Sequence, residues 1–284
     1  STGSKVIIVD PRGEVVCSAY RRIESRYPHE GWLEHDPEEV WDSVRACIGE
    51  IAEKFALSSV RAIGITNQRE TALLWERATG RPVSPAISWQ CTRSQKIIDE
   101  WAPLNGEILE RTGLQNSTYY SAGKLAWLFR SEPELLRRAQ NGELCFGNIN
   151  TWIIWKLTGG RQHATDSTNA GRTMFFDVRK NAWDEDLMRR MGIPAAILPE
   201  VRPCDASFGE AVEPAAAFRE PVPILASIGD QMSALFGQAC FRRGEAKCTI
   251  GTCLNLVTYT GAYERPRGGI LPAIAANRGG RLTY

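Results

Sequence analysis

Arg69 and Glu70 stand side by side in the polar run Thr66-Asn67-Gln68-Arg69-Glu70-Thr71, directly after a short apolar stretch. A guanidinium is a fixed fork of donors and a carboxylate offers only acceptors, so the pair is suited to gripping vicinal hydroxyls, as on a polyol. The plainer reading is a surface ion pair of small energetic weight, and spacing alone does not separate the two. Trp89 closes another apolar run, and Tyr119-Tyr120 precedes a helical pattern. Aromatic faces pack on the C–H surface of a small alcohol while a phenol hydrogen-bonds it, and both are equally at home in a core. Asp230 lies in Ile228-Gly229-Asp230-Gln231-Met232-Ser233. A carboxylate there either caps a helix N-terminus or takes the proton of a substrate hydroxyl, as an aspartate does in kinase chemistry. The preceding glycine permits close backbone approach, which a cap does not require.

Phosphate chemistry has separate candidates. Ser1-Thr2-Gly3-Ser4 and Gly251-Thr252 are small hydroxyl-and-glycine turns. Each could cradle phosphate oxygens through backbone N–H groups and hydroxyls, and facing one another they would form a two-sided clamp. No G-x-x-x-x-G-K-[ST] or G-x-G-x-x-G is present, which argues against a P-loop or a Rossmann dinucleotide site.

The elements that must position these residues follow from pattern. Lys5 to Val9, Asp10-Pro11-Arg12-Gly13 and Glu14 to Tyr20 read as strand, turn, strand. Asp36-Pro37-Glu38-Glu39 supplies an N-cap, a first-turn proline and a capping-box glutamate for an amphipathic helix over 37–55. The run 60–66 predicts a strand buried on both faces, whose carboxyl end is where open α/β sheets present ligand-binding groups. Strands are expected over 71–75 and 86–89, and helices over 92–101, 121–130 (capped by Ser121), 151–157 and 184–191. The stretch 221–226 predicts a strand that feeds a glycine turn and a helix from Asp230. Strands at the front with helices interleaved afterwards indicate an α/β architecture.

The 284 residues carry 34 Lys+Arg against 33 Asp+Glu and are 43% hydrophobic, an ordinary globular composition with room for about two domains. There is no basic run to meet nucleic acid or an anionic membrane, and no apolar stretch near the roughly 18 residues of a span. A cytoplasmic protein with no nucleic-acid partner and no membrane insertion is the expectation. Eight cysteines are scattered without a C-x-x-C and read mostly as free core thiols. Three histidines without H-E-x-x-H spacing argue against a zinc site, and Mg²⁺ would have to arrive with a phosphate substrate.

Lys247 to Thr258 reads as strand, Gly-Thr turn, strand, and Ser1-Thr2-Gly3-Ser4 with the strand after it looks like the second half of the same unit. Two such units, one opening each half, are what an internally duplicated nucleotide-binding fold would show. The expectation is a chain clipped at both ends, with about 40 residues of a second domain.

With these residues in view, the sequence resembles the FGGY family of carbohydrate kinases, and within it the members that phosphorylate glycerol. The matching stretches are GWLEHDPEEVW at 31–41, AIGITNQRET at 62–71, ISWQC at 87–91, YYSAGKLAWL at 119–128, FGNINTWIIWKLT at 146–158, RTMFFD at 172–177, LPEVR at 198–202 and GDQMSALFGQ at 229–238. The resemblance implies an actin-like, ribonuclease-H-like ATPase fold of two α/β domains closing on ATP and a polyol. Residues 1–238 would form the N-terminal, polyol-binding domain and 239–284 the first hairpin of an incomplete ATP-binding domain. It implies Arg69, Glu70, Trp89, Tyr119, Asp230 and Gln231 as glycerol contacts, with Asp230 the catalytic base. Ser1 and Thr2 would belong to the first phosphate loop, Lys5 would replace a phosphate-side arginine, and Gly251 and Thr252 would belong to the second loop. ATP and Mg²⁺ are the implied cofactors, and a homo-oligomer is left open. Three departures stand out: the D-x-G that precedes the position of Ser1 in the family is absent, the usual G-T-G reads Gly251-Thr252-Cys253, and Asn255 replaces a phenylalanine on the polyol's carbon face. The rival expectations are a kinase for another polyol or ketose, and a polyol-binding homologue without transfer activity.

Overall fold

The computed structural model describes residues 2–214, 217–218, 220–250 and 254–284. The first hairpin forms as expected: strands Gly3–Val9 and Val15–Arg22 pair antiparallel. Its turn is held by Asp10 Oδ1, which accepts from the Arg12 and Glu14 N–H groups at 2.8 and 2.9 Å.

Helix Pro37–Lys54 starts at Asp36, whose side chain accepts from Glu38 N–H at 2.9 Å with Pro37 in the first turn. The expected capping box does not close. Glu39 Oε1 accepts instead from Glu24 N–H at 2.7 Å, tying down the incoming chain. The helix buries Val40, Trp41, Cys47, Ile48 and Ile51.

Strand Ile63–Asn67 departs from expectation by starting later and by leaving Gly64 and Thr66 exposed. It lies at the edge of a three-stranded sheet, so among the described residues only one side is paired. Its Ile63 and Ile65 pack on a cluster containing Ile149, Trp152 and Ile224. The strand covered on both faces is Leu73–Glu76, paired antiparallel with Leu144–Gly147. Alternation sends Leu74 into a cluster with Leu125, Phe146 and Phe175, while Leu73 and Trp75 enter the cluster with Val40 and Trp152. Each such side chain gains roughly 1.5–3 kcal/mol on burial.

Helix Ser121–Ser131 covers the expected range, but its cap is Tyr120 and the Ser121 hydroxyl goes elsewhere. Helices Ile149–Leu157 and Glu185–Met191 match their expected positions, the second capped by Asp184. Helices Asn105–Thr112 and Pro133–Gln140 carry no capping side chain and were not anticipated. Strand Val222–Gly229 pairs antiparallel with Glu210–Ala211 and parallel with Ile63–Asn67, then runs straight into helix Asp230–Gly237. Strands Ala246–Ile250 and Leu254–Thr258 form the expected second hairpin. Of the expected phosphate-loop residues, Ser1, Gly251 and Thr252 lie outside the described residues, as does Cys253. Among those described, seven cysteines are free thiols and no helix is long and apolar enough to cross a membrane.

Candidate active site

The site is set by one parallel register. Gly229 pairs with Asn67. The two strands therefore end level, and Gln68-Arg69-Glu70 leaves one of them beside Asp230-Gln231 leaving the other. Arg69 Nε comes 3.4 Å from Asp230 Oδ1 and 3.9 Å from Glu70 Oε1. Its side chain is 4% exposed, whereas that of Asp230 is 44% exposed and open to a ligand. Beyond these ion pairs Arg69 Nε makes no hydrogen bond, and Nη1 is likewise buried without a hydrogen-bond partner. Gly229 is needed for this approach, because a Cβ there would stand 2.3 Å from Arg69 Cδ. The close approach expected at this glycine is thus made by the arginine side chain.

Glu70 occupies the left-handed region at φ +65°, and Thr71 N–H donates back to Arg69 O at 2.7 Å. A positive φ on a non-glycine residue costs energy and persists only where neighbours enforce it. Here Ser121 Oγ donates to Glu70 O at 3.0 Å, and Asn148 Nδ2 donates to both Thr71 O and Ser121 Oγ. The helix serine thus stabilises the strained turn in place of its own N-terminus. The turned carboxylate accepts from Arg172 Nε at 2.6 Å, with the two side chains 3% and 13% exposed. Burial opposes the Arg172 charge, but Glu70 together with the Tyr120 and Tyr119 phenols outweighs it and holds the guanidinium firmly protonated. Glu70 is therefore committed to an ion pair, while Asp230 accepts from Gln231 N–H at 2.7 Å and from Gln231 Nε2 at 3.5 Å and faces Arg69.

Trp89 and Tyr119 complete the cluster, their ring centroids 5.3 Å apart and the Arg172 guanidinium 5.8 Å from the Tyr119 ring. Burial, with Glu70 and Asp230 nearby, pushes the Tyr119 phenol up to about 12, so it stays a donor through the neutral range. Arg69, Glu70, Trp89, Tyr119, Asp230 and Gln231 are thereby brought into one place. Thr2 and Lys5 lie on the first hairpin, where Thr2 Oγ1 meets the Tyr20 hydroxyl at 3.3 Å. Among the described residues neither hydrogen-bonds or ion-pairs with the Asp230 cluster.

Sequence reasoning missed the residues that hold this cluster. Lys124, fully buried, donates to the carbonyls of Thr118, Tyr119 and Tyr120 at 2.7, 2.8 and 2.9 Å and so shapes the turn that presents Tyr119. Asp166, also fully buried, accepts from Asn169 Nδ2, Asn150 Nδ2 and Ser227 Oγ at 2.6, 3.2 and 2.9 Å, and from the Thr168 hydroxyl. Burial raises its pKa against those hydrogen bonds. Thr168 Oγ1 in turn accepts from Gly229 N–H at 2.8 Å, and Asn169 exchanges amide hydrogen bonds with Asn67. One buried carboxyl therefore steadies the ends of both site strands. The polar run 165–169 between apolar neighbours was the available signal.

A family model described as the FGGY family of carbohydrate kinases, N-terminal domain, matches residues 1–237. Glycerol kinases of Thermus brockianus and Carboxydothermus hydrogenoformans are 45% and 41% identical over the whole of this chain, which covers 58% of each. The chain thus spans about 58% of the length of these curated relatives. The structure of Plasmodium falciparum glycerol kinase with ADP superposes with a TM-score of 0.94 at 34% identity, over 100% of this chain and 58% of that one. A xylulose kinase from Rhodospirillum rubrum superposes at 0.84 with 23% identity, over 93% and 54%, and shows the fold alone. The fold is the α/β, actin-like one shared with these kinases.

Proposed function

The chain belongs to the FGGY family of carbohydrate kinases, and from that premise we propose that it supplies the polyol-binding part of an enzyme that phosphorylates glycerol with ATP to give glycerol 3-phosphate. The observation that carries this reading is the 3.4 Å approach of Arg69 Nε to an accessible Asp230, with one further donor, Arg69 Nη1, left without a hydrogen-bond partner. A hydroxyl seated between them would give its proton to Asp230 as its oxygen forms a bond to the terminal phosphorus, and the bond from that phosphorus to ADP breaks. Arg69 and Gln231 would donate to the attacking oxygen. Glu70 would accept from a neighbouring hydroxyl, and Trp89 and Tyr119 would cover the carbon face. The glycerol kinases matched at 45% and 41% identity support glycerol as the alcohol.

We assign residues 1–238 to the polyol-binding domain and 239–284 to the start of the ATP-binding domain. Thr2 and Lys5 would lie on the phosphate side, together with Ser1, Gly251 and Thr252 outside the described residues. Among the described residues no group of three or more His, Cys, Asp or Glu is gathered to hold a metal ion. Mg²⁺ would reach the reaction bound to the phosphates of ATP. The free thiols suit a reducing, cytoplasmic setting.

A second reading, a kinase for a different polyol or ketose, is favoured by Asn255, whose amide oxygen lies 3.5 Å from Lys247 Nζ. That puts a polar group close to Gln231, where an apolar one is usual in the glycerol-phosphorylating members. ADP release by the complete polypeptide, measured with glycerol, xylulose, gluconate and erythritol, decides between them. Glycerol giving the highest kcat/KM supports the first reading, another alcohol doing so supports the second, and binding without ADP release from any of them overturns both.

A further inference from the structure

Lys247 sits on strand Ala246–Ile250 of the second hairpin, outside the stretch matched by the family model, yet it is only 1% exposed. Its ammonium meets three acceptors. Two belong to the hairpin itself, Thr249 Oγ1 at 2.8 Å and Asn255 Oδ1 at 3.5 Å. The third, Gln231 Oε1, is in close contact and belongs to the candidate site. Both Asp230 and Arg69 are near enough for their charges to bear on the ammonium.

An ammonium has three donors and no lone pair, whereas a glutamine side chain offers an acceptor at one end and two donors at the other. Beside Lys247 the Gln231 amide can turn only its oxygen inward, which settles its orientation. Its Nε2 then points toward Asp230, 3.5 Å from Oδ2. A hydroxyl losing its proton to Asp230 gathers negative charge on oxygen, and donors fixed beforehand at that oxygen lower the barrier. Gln231 Nε2 and the unpartnered Nη1 of Arg69 meet this need. With the amide reversed, its oxygen would face the oxygen that is becoming negative.

We propose that Lys247 is a positioning residue that locks the Gln231 side-chain amide in the orientation presenting a donor to the attacking oxygen. It acts through Gln231 and touches no substrate. The proposal rests on the alcohol-kinase reading and deepens it, by making a residue of the second hairpin set the polarity of the alcohol site.

The test uses Lys247→Met, Gln231→Met and the double variant in the complete polypeptide. Each single change slows turnover at saturating glycerol roughly 10- to 100-fold, and the double variant is no slower than the slower single. Factors that multiply, or wild-type turnover in Lys247→Met, overturn the proposal. Gln231→Glu keeps a partner for the ammonium but offers no donor, so it should slow turnover as much as Gln231→Met. Wild-type turnover in Gln231→Glu also overturns the proposal, even where Lys247→Met does not fold. An NMR readout stands apart from the substrate. In the complete polypeptide the Gln231 side-chain amide, identified by its loss in Gln231→Met, gives the ¹⁵N–¹H nuclear Overhauser effect of a rigid group, which falls to that of a mobile side chain in Lys247→Met. An unchanged effect contradicts the locking role. Should the wild-type enzyme turn over no alcohol, the functional reading fails and the amide resonances alone judge the lock.

Discussion

Arg69 and Asp230, separated by 161 positions in the chain, meet at 3.4 Å because Asn67 and Gly229 are partners in one parallel register. A shift of that register by one residue would turn one of the two side chains to the opposite face of the sheet. The candidate chemistry therefore depends on strand pairing as much as on residue type.

Gly229→Ala tests the closeness of that pairing. The new Cβ would run into Arg69 Cδ at 2.3 Å, so the arginine must leave its place or the strands must part. A loss of about 1–3 kcal/mol of stability in urea unfolding is expected from overpacking. A rise in KM for the alcohol of about tenfold or more should accompany it, equivalent to roughly 1.4 kcal/mol of binding.

Arg172→Leu tests the commitment of Glu70. With Glu70 3% exposed and Arg172 removed, a buried carboxylate loses its hydrogen-bonded partner and keeps only the longer 3.9 Å approach to Arg69 Nε. Denaturant unfolding should show about 3–5 kcal/mol of destabilisation, far more than the 0–1 kcal/mol of a surface pair. A loss under about 1 kcal/mol would mean that Glu70 has other support.

Lys124 gives a pH signature. Burial, opposed by the Glu70 charge, draws its pKa down to about 7 from the ordinary 10.5. Between those values the unfolded chain holds a proton that the native chain has lost, so this group's contribution to stability grows as pH rises from about 7 and is lost as pH falls through it. The stability difference between wild type and Lys124→Met should therefore widen in favour of wild type from pH 7 to pH 9. Alcohol affinity should move the other way, because a neutral amine has two N–H groups for the three carbonyls of Thr118, Tyr119 and Tyr120. Parallel changes in stability and affinity would contradict this account of the Tyr119 turn.

What could be read before the structure was whatever depends on neighbours in sequence. The 37–54 helix, the Asp10 turn and the strand-to-helix passage at Gly229-Asp230 follow from local pattern, and the polar residues after an apolar run marked Arg69 and Asp230. What could not be read depends on distant pairing. Glu70 and Arg172 lie 102 positions apart, as do Asn67 and Asn169, and no periodicity joins them. Glu39 looked like a capping-box residue because the spacing allows it, but Glu24 N–H, 15 residues away, made the better partner. Ser121 was expected to cap its helix, and the strained carbonyl of Glu70 took its hydroxyl instead. Lys247 had no local signal, since its meaning comes from Gln231 on another element.

The central claim is that Asp230 takes the proton of the bound alcohol, and Asp230→Asn in the complete polypeptide tests it most directly, with ADP release and calorimetric glycerol binding measured on the same preparation. Turnover should fall by roughly 10²- to 10⁴-fold, with glycerol still bound through Arg69, Glu70 and the aromatic wall. Turnover within a few-fold of wild type would contradict the account.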